Sequence, residues 1–231
     1  GDHRDLHSFP TRRSSDLLGW RNYPFVQVLE KTLGVPVAFG HDVVSAGEAE
    51  LRLQGAGPIE NACFVAIGTG ISGVIHADGR RIFASGYAGE LGQAPVQDTL
   101  APYGWGVLED VASAASITRR YNLLSGKALT GSKDVLAAMT EDDDPDASKV
   151  WDAAMHALAV ALAHCVTLLG TTTVVIGGGL SLAGEALLRP LHTHLSGMLH
   201  VHKTPDLLLA KFGGNAGLIG SALKASDLQT S

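Results

Sequence analysis

The chain has 231 residues, of which 45% are apolar and 17% charged, and it carries 28 glycines and a formal net charge of −6. The apolar share supports a buried core, and the lack of a basic face disfavours a dedicated nucleic-acid-binding protein. Two cysteines in a chain of this length indicate a reducing compartment. Because no signal peptide and no apolar run of about 18 residues stand out, the sequence favours a soluble cytoplasmic protein.

Residues 1–17, GDHRDLHSFPTRRSSDL, show neither helical nor strand periodicity. The part from His7 to Leu17 resembles the translation of a sequencing-library adapter, and a native disordered tail is the alternative. We therefore expect residues 1–17 to be a non-native, disordered tail and residues 18–231 to form the folded part. On this interpretation the natural beginning of the protein is missing from the chain.

The rest of the sequence alternates helical patterns with short β-rich runs. The first half predicts a helix within residues 18–34, a strand at 35–39, a helix at 45–54, a strand at 63–67 and a hairpin of 73–76 with 80–84. The second half predicts helices at 107–121 and 132–139, a long helix ending near 169, strands at 173–176 and 207–210, and a helix after each strand. Asp146 or Ser148, after an acidic loop, is the expected cap of the long helix. This order is typical of an α/β fold.

Three glycine clusters follow predicted strands. They are Gly68-Thr69-Gly70, Gly177-Gly178-Gly179 and Gly213-Gly214. A glycine-rich turn exposes backbone N–H groups that suit phosphate, at a helix N-terminus or in a concave turn between strands. No cluster matches the phosphate-loop or dinucleotide-binding motif, and singly each is commonly a plain tight turn. Three such turns after β-rich runs together favour a nucleotide-binding cleft.

Three acidic residues are candidates for chemistry. Asp42 follows a predicted strand, where its carboxylate can accept a proton from a substrate hydroxyl or can cap the next helix, and the spacing leaves both interpretations open. Glu90 lies between two glycines after a strand. Glu109 opens a predicted helix, a position at which glutamate commonly compensates the helix dipole.

Five motifs, in this order, resemble the ROK family (repressor, open reading frame, kinase) over residues 18–225. They are VAIGTGISG at 65–73, AGELGQ at 88–93, GVLEDVAS at 106–113, VVIGGGL at 174–180 and GNAGLIGSAL at 214–223. The resemblance implies the actin-like ATPase (RNase H-like) fold, which is an α/β fold of two lobes. It also implies that residues 61–231 form the C-terminal lobe, that residues 18–60 form an inter-lobe part, and that the N-terminal lobe is largely missing.

The resemblance further implies an ATP-dependent sugar kinase that uses Mg²⁺. The GHDV motif with a downstream AEL resembles the glucokinase-like branch, which makes glucose the expected hexose. Asp42 matches the general base that deprotonates the sugar hydroxyl, in a reaction that depends on positioning and charge stabilisation. The residues implied to bind the sugar are His41, Glu90, Gln93 and Glu109. The residues implied to bind the nucleotide are Gly68, Thr69 and Gly70 on the phosphate side and Gly177, Gly178 and Gly179 on the other.

The sequence departs from the family pattern in three places. The family's N-terminal DxGGT phosphate loop is absent, so we expect this chain to bind ATP poorly and to turn over negligibly. Gln93 stands where the family has a zinc-binding histidine, and residues 102–107 contain no cysteine, so we predict no structural zinc and no other protein-bound metal. Tyr103 and Trp105 are expected to pack that loop instead. His41 replaces a common asparagine, and either side chain can donate a hydrogen bond to a sugar hydroxyl.

Two other functions remain compatible with the sequence. One is a sugar-sensing ROK transcriptional regulator, which would contact nucleic acid through a helix-turn-helix ahead of this segment. The other is a catalytically dead sugar-binding homologue. The intact 68–70 turn and Asp42 favour the kinase, whereas the missing zinc ligands slightly favour the regulator. A homodimer is implied by the family alone.

Overall fold

The computed structural model describes residues 23–55 and 59–228, so the expectations for residues 1–17 lie outside the described residues. Its strands are β1 (Ala62–Ile67), β2 (Ile71–Ala77), β3 (Arg80–Arg81), β4 (Pro95–Gln97), β5 (Trp105–Val107), β6 (Thr173–Gly177) and β7 (Asp206–Leu209). Five of them form the main sheet in the order β3-β2-β1-β6-β7, in which β1, β6 and β7 are parallel and β2 is antiparallel to β1. Strands β4 and β5 form a separate antiparallel hairpin.

Helices cover both faces of the main sheet. The α-helices described are α1 (Phe25–Leu33), α2 (Asp42–Leu53), α3 (Leu108–Ala112), α4 (Ala114–Ser125), α5 (Ser132–Thr140), α6 (Pro145–Leu169), α7 (Glu185–Met198) and α8 (Ala216–Asp227). Helix α2 packs on β1 and β2 and carries α8 beside it, whereas α3, α4, α5 and α7 surround α6 on the other face. The predicted α/β class is confirmed, with helices on both faces of a mixed sheet.

Strand β1 contributes alternate side chains to two hydrophobic clusters, one on each face of the sheet. Successive side chains of a strand point to opposite faces of the sheet. Cys63 and Val65 therefore join the main core with α6, while Phe64 joins a smaller cluster with Leu51 of α2. A strand buried on both faces has a continuous apolar sequence, and this pattern predicted β1 and β6. Both strands are confirmed, each one residue longer than predicted.

Helix α6 is the central helix of the main core. Its predicted apolar stripe is confirmed, because all of its members are buried, namely Val150, Ala154, Leu158, Leu162 and Val166. By length and composition α6 is also apolar enough to span a membrane. However, 56% of its most apolar window is buried within the described structure, which is the placement of a core helix.

The N-cap of α6 differs from the prediction. Asp144, rather than Asp146 or Ser148, caps the helix, and its carboxylate accepts hydrogen bonds from the backbone N–H groups of Asp146 at 2.9 Å and Ala147 at 3.2 Å. The reason is Pro145, whose fixed φ and missing N–H suit the first helical position. The cap consequently lies directly before the proline.

Other predicted elements differ in extent. Residues 35–39 form no strand with any described residue, because β-branched residues favour a strand only where a partner strand is available. The helix predicted at 107–121 is two helices, since Ser113 is extended and caps α4 by accepting a hydrogen bond from the Ser116 N–H at 3.1 Å. Strand β3 is shorter than predicted, and α2 begins three residues earlier.

Candidate active site

The three parallel strands end at the same edge of the main sheet, which we name the carboxyl edge. Ligands of open α/β sheets bind outside this edge. The 68–70 turn follows β1 directly, the 177–179 turn completes β6, and the Gly213–Asn215 turn lies shortly after β7. The strand order therefore gathers at one edge the three glycine clusters that are far apart in the sequence.

Gly178 brings the first two turns into contact. Its backbone has φ +78°, which L side chains rarely adopt, and a Cβ there would lie 2.4 Å from the carbonyl oxygen of Ile67. Gly177 is also restricted, because its Cβ would meet the Phe64 ring at 2.8 Å. Only glycines fit these two positions without rearrangement, and they place this turn against the end of β1, next to the 68–70 turn.

An open cavity of about 710 Å³ lies beside Thr69. Its volume is typical of small-molecule sites. The first turns of α4 and α5 contribute to its lining, together with Arg119 and Asn122. Helix α4 is held against the glycine turn because the Ala114 N–H donates to the Gly68 carbonyl at 2.9 Å. The cavity thus combines a glycine turn with helix N-termini, which favour anionic groups.

Helix α2 brings Asp42 to the carboxyl edge. Helices α2 and α8 run side by side in the same direction, since Gly220 packs on Ser45 near the start of α2 and Asp227 pairs with Arg52 near its end. Because α8 begins after the third glycine turn, α2 also begins at the carboxyl edge. Asp42, as the first residue of α2, is therefore at the same edge as the glycine turns.

The local structure of Asp42 differs from the prediction. No strand precedes it, and His41 rather than Asp42 is the N-cap of α2. Asp42 Oδ1 accepts a hydrogen bond from the Val43 N–H at 2.8 Å and lies 3.1 Å from His41 Nδ1. The Asp42 side chain is 88% exposed. A substrate hydroxyl can therefore approach its carboxylate directly.

A lysine of α8 anchors the segment that leads into Asp42. Lys224 Nζ donates a hydrogen bond to the carbonyl oxygen of Phe39. Burial lowers the pKa of Lys224, and the charge of Arg81 acts in the same direction against the opposing effect of Glu48. Helix α8 consequently holds both the start of α2 and the residues just before the candidate base.

Glu109 lies between two glycine motifs on the other face of the sheet. Its Oε2 accepts a hydrogen bond from the Ile71 N–H at 2.8 Å. A Cβ on Gly70 would lie 2.4 Å from this oxygen, and a Cβ on Gly92 would lie 3.2 Å from it. The two glycines therefore make room for a carboxylate directly beside the 68–70 turn. Compensation of the helix dipole is thus only part of what this side chain does.

The AGELGQ segment is attached to β2 through a pair of glycines. The Gly73 N–H donates to the Gly89 carbonyl at 2.7 Å, and a Cβ on Gly89 would lie 2.1 Å from the Gly73 carbonyl oxygen. Glu90 and Gln93 are exposed and bound a short 3₁₀ turn in this segment. The structure thus places Glu90, Gln93 and Glu109 on the same side of β2.

Glu50 is a residue of this region that the sequence analysis missed. It is fully buried, and its two oxygens accept hydrogen bonds at 2.8 Å from the backbone N–H groups of Lys211 and Phe212. These bonds fix the chain just before the third glycine turn. The available signal was an acidic residue between apolar Ala49 and Leu51 in a helix, because a buried carboxylate requires hydrogen-bond partners.

The loop at the position of the family's zinc motif connects β4 to β5. The expectation that Tyr103 and Trp105 pack this loop is wrong, since these residues are 92% and 67% exposed. The loop is held instead by Asp98, whose carboxylate accepts hydrogen bonds from Arg120 at 2.6 and 2.8 Å. Burial raises the pKa of Asp98, but the hydrogen bond from Arg120 and those from the loop backbone outweigh it and hold the pKa below its usual value.

The residues present do not fit a structural zinc ion. Cys63 and Cys165 are both buried in the main core, on β1 and α6, whereas Gln93 is exposed. Within residues 23–55 and 59–228, no three His, Cys, Asp or Glu side chains are grouped as metal ligands would be. The absence of zinc stays a prediction, which metal analysis of the purified protein can test.

Comparison with known proteins identifies sugar kinases as relatives. The profile of the ROK family matches residues 12–227. The glucokinase of Halalkalibacterium halodurans is 30% identical, over 88% of this chain and 67% of the relative. The N-acetylmannosamine kinase of Shigella boydii is 28% identical, over 91% and 72%, and the fructokinase of Lactococcus lactis is 26% identical, over 89% and 69%.

Solved structures share the fold of this chain. The ROK hexokinase from Thermus thermophilus superposes with a TM-score of 0.76 at 27% identity, over 91% of this chain and 72% of that chain. A ROK family glucokinase from Streptomyces griseus, in complex with glucose and AMPPNP, gives 0.69 at 23% identity, over 90% and 74%. A ROK family transcriptional regulator gives 0.72 at 25% identity, over 88% and 55%.

The fold and these relatives define the class of the protein. It is a phosphotransferase of the sugar-kinase type with the actin-like ATPase fold. The chain belongs to the ROK family, whose profile covers most of its length. The fold class and the family predicted from the sequence are therefore confirmed, while the boundaries of the lobes and of the tail stay predictions.

Proposed function

We propose that this chain is an ATP-dependent hexose kinase that converts glucose to glucose 6-phosphate. The proposal rests on one observation, the gathering at the carboxyl edge of an exposed carboxylate on α2, a glycine turn beside a cavity, and Glu109 with the AGELGQ segment. Transfer of a phosphoryl group depends on holding two substrates in line and on stabilising charge. These groups supply the two binding regions and the base that such a reaction needs.

The polar residues beside β2 form the proposed hexose site. Glu109 uses Oε2 for the backbone of β2 and offers Oε1 to a substrate hydroxyl. Glu90 and Gln93 add exposed polar atoms on the same side, and His41 adds its second ring nitrogen, Nε2, next to the base. Hydroxyl-rich sugars suit such a set, and an analogue lacking one hydroxyl would leave a polar group unpaired.

The glycine turns and the cavity form the proposed nucleotide site. Backbone N–H groups at Gly68, Thr69 and Gly70, and at Gly177, Gly178 and Gly179, are proposed to bind the phosphates, and the cavity beside Thr69 is proposed to take the nucleoside. Mg²⁺ bound with ATP would neutralise charge on the phosphates. Since the described residues contain no ready-made group of three metal ligands, we expect this ion to arrive with the nucleotide.

Asp42 is the proposed general base. As the hexose hydroxyl oxygen attacks the γ-phosphorus of ATP, the hydroxyl proton passes to the Asp42 carboxylate, and the bond to the bridging oxygen of ADP breaks. The exposed carboxylate at the start of α2 allows this approach. His41 keeps the Asp42 carboxylate oriented through the 3.1 Å contact between Nδ1 and Oδ1.

A sugar-sensing regulator is the second candidate function. It is favoured by the similarity to a ROK family transcriptional regulator, and a catalytically dead sugar-binding homologue would share the same sugar site. In both proteins the hexose would bind without being phosphorylated.

The kinase proposal places the protein in the cytoplasm, where ATP and hexoses are available. A homodimer is proposed on the family pattern alone.

A hexose panel tests the proposed function. Binding of glucose, fructose and N-acetylmannosamine to the 231-residue chain is measured by calorimetry, and ATP-dependent phosphorylation by coupled ADP release. Phosphorylation is measured for this chain and for a version extended upstream in its reading frame, because we expect negligible turnover from the chain alone. We expect glucose to give the highest kcat/KM. Hexose binding without phosphorylation by the extended version would contradict the kinase in favour of a sensor, and no hexose binding would contradict both.

A further inference from the structure

The β4–β5 hairpin joins the two halves of the proposed hexose site. Glu90 and Gln93 lie just before β4, and Glu109 lies just after β5. The base of the hairpin is closed by a hydrogen bond of 3.0 Å from the Leu108 N–H to the Ala94 carbonyl. Any shift of the hairpin would therefore move the sugar-binding side chains on both of its arms.

An ion pair with a buried carboxylate holds the far end of the hairpin, next to a 3.0 Å contact between Gln97 Oε1 and His156 Nε2 that attaches β4 to α6. Asp98 is 5% exposed, and its two oxygens accept hydrogen bonds of 2.6 and 2.8 Å from the guanidinium of Arg120 on α4. The same carboxylate accepts the Leu100 N–H at 3.0 Å, and the Asp98 N–H donates to the Gly104 carbonyl at 3.0 Å. A two-pronged arginine–carboxylate pair restricts both position and orientation. The loop between the strands is thus built around Asp98.

Helix α4 connects this ion pair to the nucleotide side of the site. Its first residue donates the hydrogen bond to Gly68, in the first glycine turn, and Arg120 lies further along the same helix. A helix of this length behaves as a rigid rod, rising about 1.5 Å per residue. Helix α4 therefore links the loop of the hairpin to the glycine turn, in addition to the packing of β4 on α6.

We propose that Arg120 and Asp98 form a positioning pair that sets the hexose affinity of the site. This inference rests on the proposed function, because it assigns the 90–109 region to hexose binding. Neither residue lines the cavity beside Thr69, and neither is among the residues proposed to bind the hexose. It acts by keeping Glu90 and Glu109 at the spacing that one hexose can bridge, and a displacement of about 1 Å in such a site can reduce its efficiency by about a hundredfold.

The test compares variants of the pair with a matched ion pair elsewhere. Arg120→Met and Asp98→Asn each break the pair, and Arg120→Lys keeps the charge but not the two-pronged geometry. Arg52→Met is the control, because it breaks the Arg52–Asp227 pair, which has the same geometry but joins the far ends of α2 and α8. For each variant of the chain we would measure glucose affinity, amide hydrogen exchange over residues 90–109, and thermal unfolding. AMPPNP affinity would be measured on the same variants of the upstream-extended protein, because we expect the chain alone to bind ATP poorly.

We expect Arg120→Met to weaken glucose binding by about tenfold to a hundredfold while AMPPNP binding changes less than about threefold. Amides of residues 90–109 should exchange faster in this variant even without sugar, and Arg120→Lys should be intermediate. The double variant Arg120→Met/Asp98→Asn should bind glucose no more weakly than whichever single variant has the lower glucose affinity, because the two residues act as a unit. Arg52→Met should leave glucose affinity and hairpin exchange unchanged.

Three results would overturn the inference. One is a folded Arg120→Met or Arg120→Lys protein with wild-type glucose affinity. Another is an equal loss of glucose and AMPPNP affinity that follows the loss of thermal stability, which indicates a purely structural pair. The third is unchanged hydrogen exchange in the hairpin of both Arg120→Lys and Asp98→Asn. If the wild-type chain binds no hexose, the proposed function fails instead, and the exchange measurement still decides whether the pair holds the hairpin.

Discussion

Glu109 and Asp42 are restrained by the fold to very different degrees. Glu109 is bonded to the backbone of β2 and enclosed by Gly70 and Gly92, so its carboxylate has little freedom. The Asp42 side chain is mostly exposed, and its contacts are with its immediate neighbours, the Val43 N–H and the His41 ring. A fixed acceptor suits recognition of a sugar hydroxyl, whereas an accessible carboxylate suits proton transfer.

A second residue pair makes a testable contribution to stability. Burial raises the pKa of Glu48, but the hydrogen bond from His76 and the charges of His76, Arg81 and Arg52 outweigh it and hold this pKa below its ordinary value of 4.5. The Glu48 Oε1 to His76 Nε2 distance is 3.0 Å, and His76 is buried. Because the folded-state pKa is depressed, the ionised carboxylate stabilises the fold above about pH 4.5, and this stabilisation is lost as the pH falls below that value.

We therefore predict that Glu48→Gln lowers the free energy of unfolding by about 1.5 kcal/mol at pH 7, as is typical of losing a hydrogen bond to a charged group. Urea unfolding between pH 7 and pH 3 checks this prediction. The wild-type protein should lose stability more steeply than the variant below about pH 4.5. Parallel curves for the two proteins across this range would show that the pair contributes nothing to the pH dependence.

Among the elements, the crossing of α2 and α8 depends most on a single position. A Cβ on Gly220 would lie 1.7 Å from the Ser45 carbonyl oxygen, a distance that the two helix backbones cannot accommodate without moving apart. Both helices begin at the carboxyl edge, so a shift there also displaces Asp42. The close helix contact thus links packing to the proposed active site.

We predict that Gly220→Ala lowers the free energy of unfolding by about 2–3 kcal/mol through overpacking. Gly217→Ala is the matched control on the same helix, since its Cβ would lie 4.0 Å from the Asp42 carbonyl oxygen, an ordinary van der Waals distance. That control should leave stability unchanged or raise it by up to about 1 kcal/mol, because alanine favours a helix. Chemical denaturation measures both effects, and equal stability of the two variants would show that the helix contact is looser than described.

Several elements could be predicted from the sequence because their signal is local. Apolar runs predicted β1 and β6, and helical spacing predicted α6 with its buried stripe. The strand expected at 35–39 is wrong because propensity does not report whether a partner strand exists. The break at Ser113 was missed because apolar spacing continues across it. The cap is Asp144 rather than Asp146 or Ser148 because Pro145 occupies the first helical position and so fixes where the helix begins.

For the molecule as a whole, the composition of the candidate site was easier to predict than its assembly. The motifs predicted the glycine turns and the acidic residues, and in the structure the glycine turns, Asp42 and Glu109 lie at one sheet edge. Their assembly depends on the order of strands, which periodicity does not determine. The contacts of Glu50 with residues 211–212 and of Asp98 with Arg120 join positions far apart in the chain, so no local pattern reveals them.

The assignment of Asp42 as the general base is the most direct test of the proposed kinase. Asp42→Asn is compared with Asp146→Asn, a control at the first turn of α6 that is outside the proposed site. Glucose phosphorylation is measured for the upstream-extended protein, and glucose affinity for both lengths. We predict that Asp42→Asn lowers kcat by about a hundredfold or more while glucose affinity changes little, because a general base contributes about 10²–10⁴-fold. Phosphorylation by Asp42→Asn at a rate close to that of Asp146→Asn would contradict the proposed mechanism.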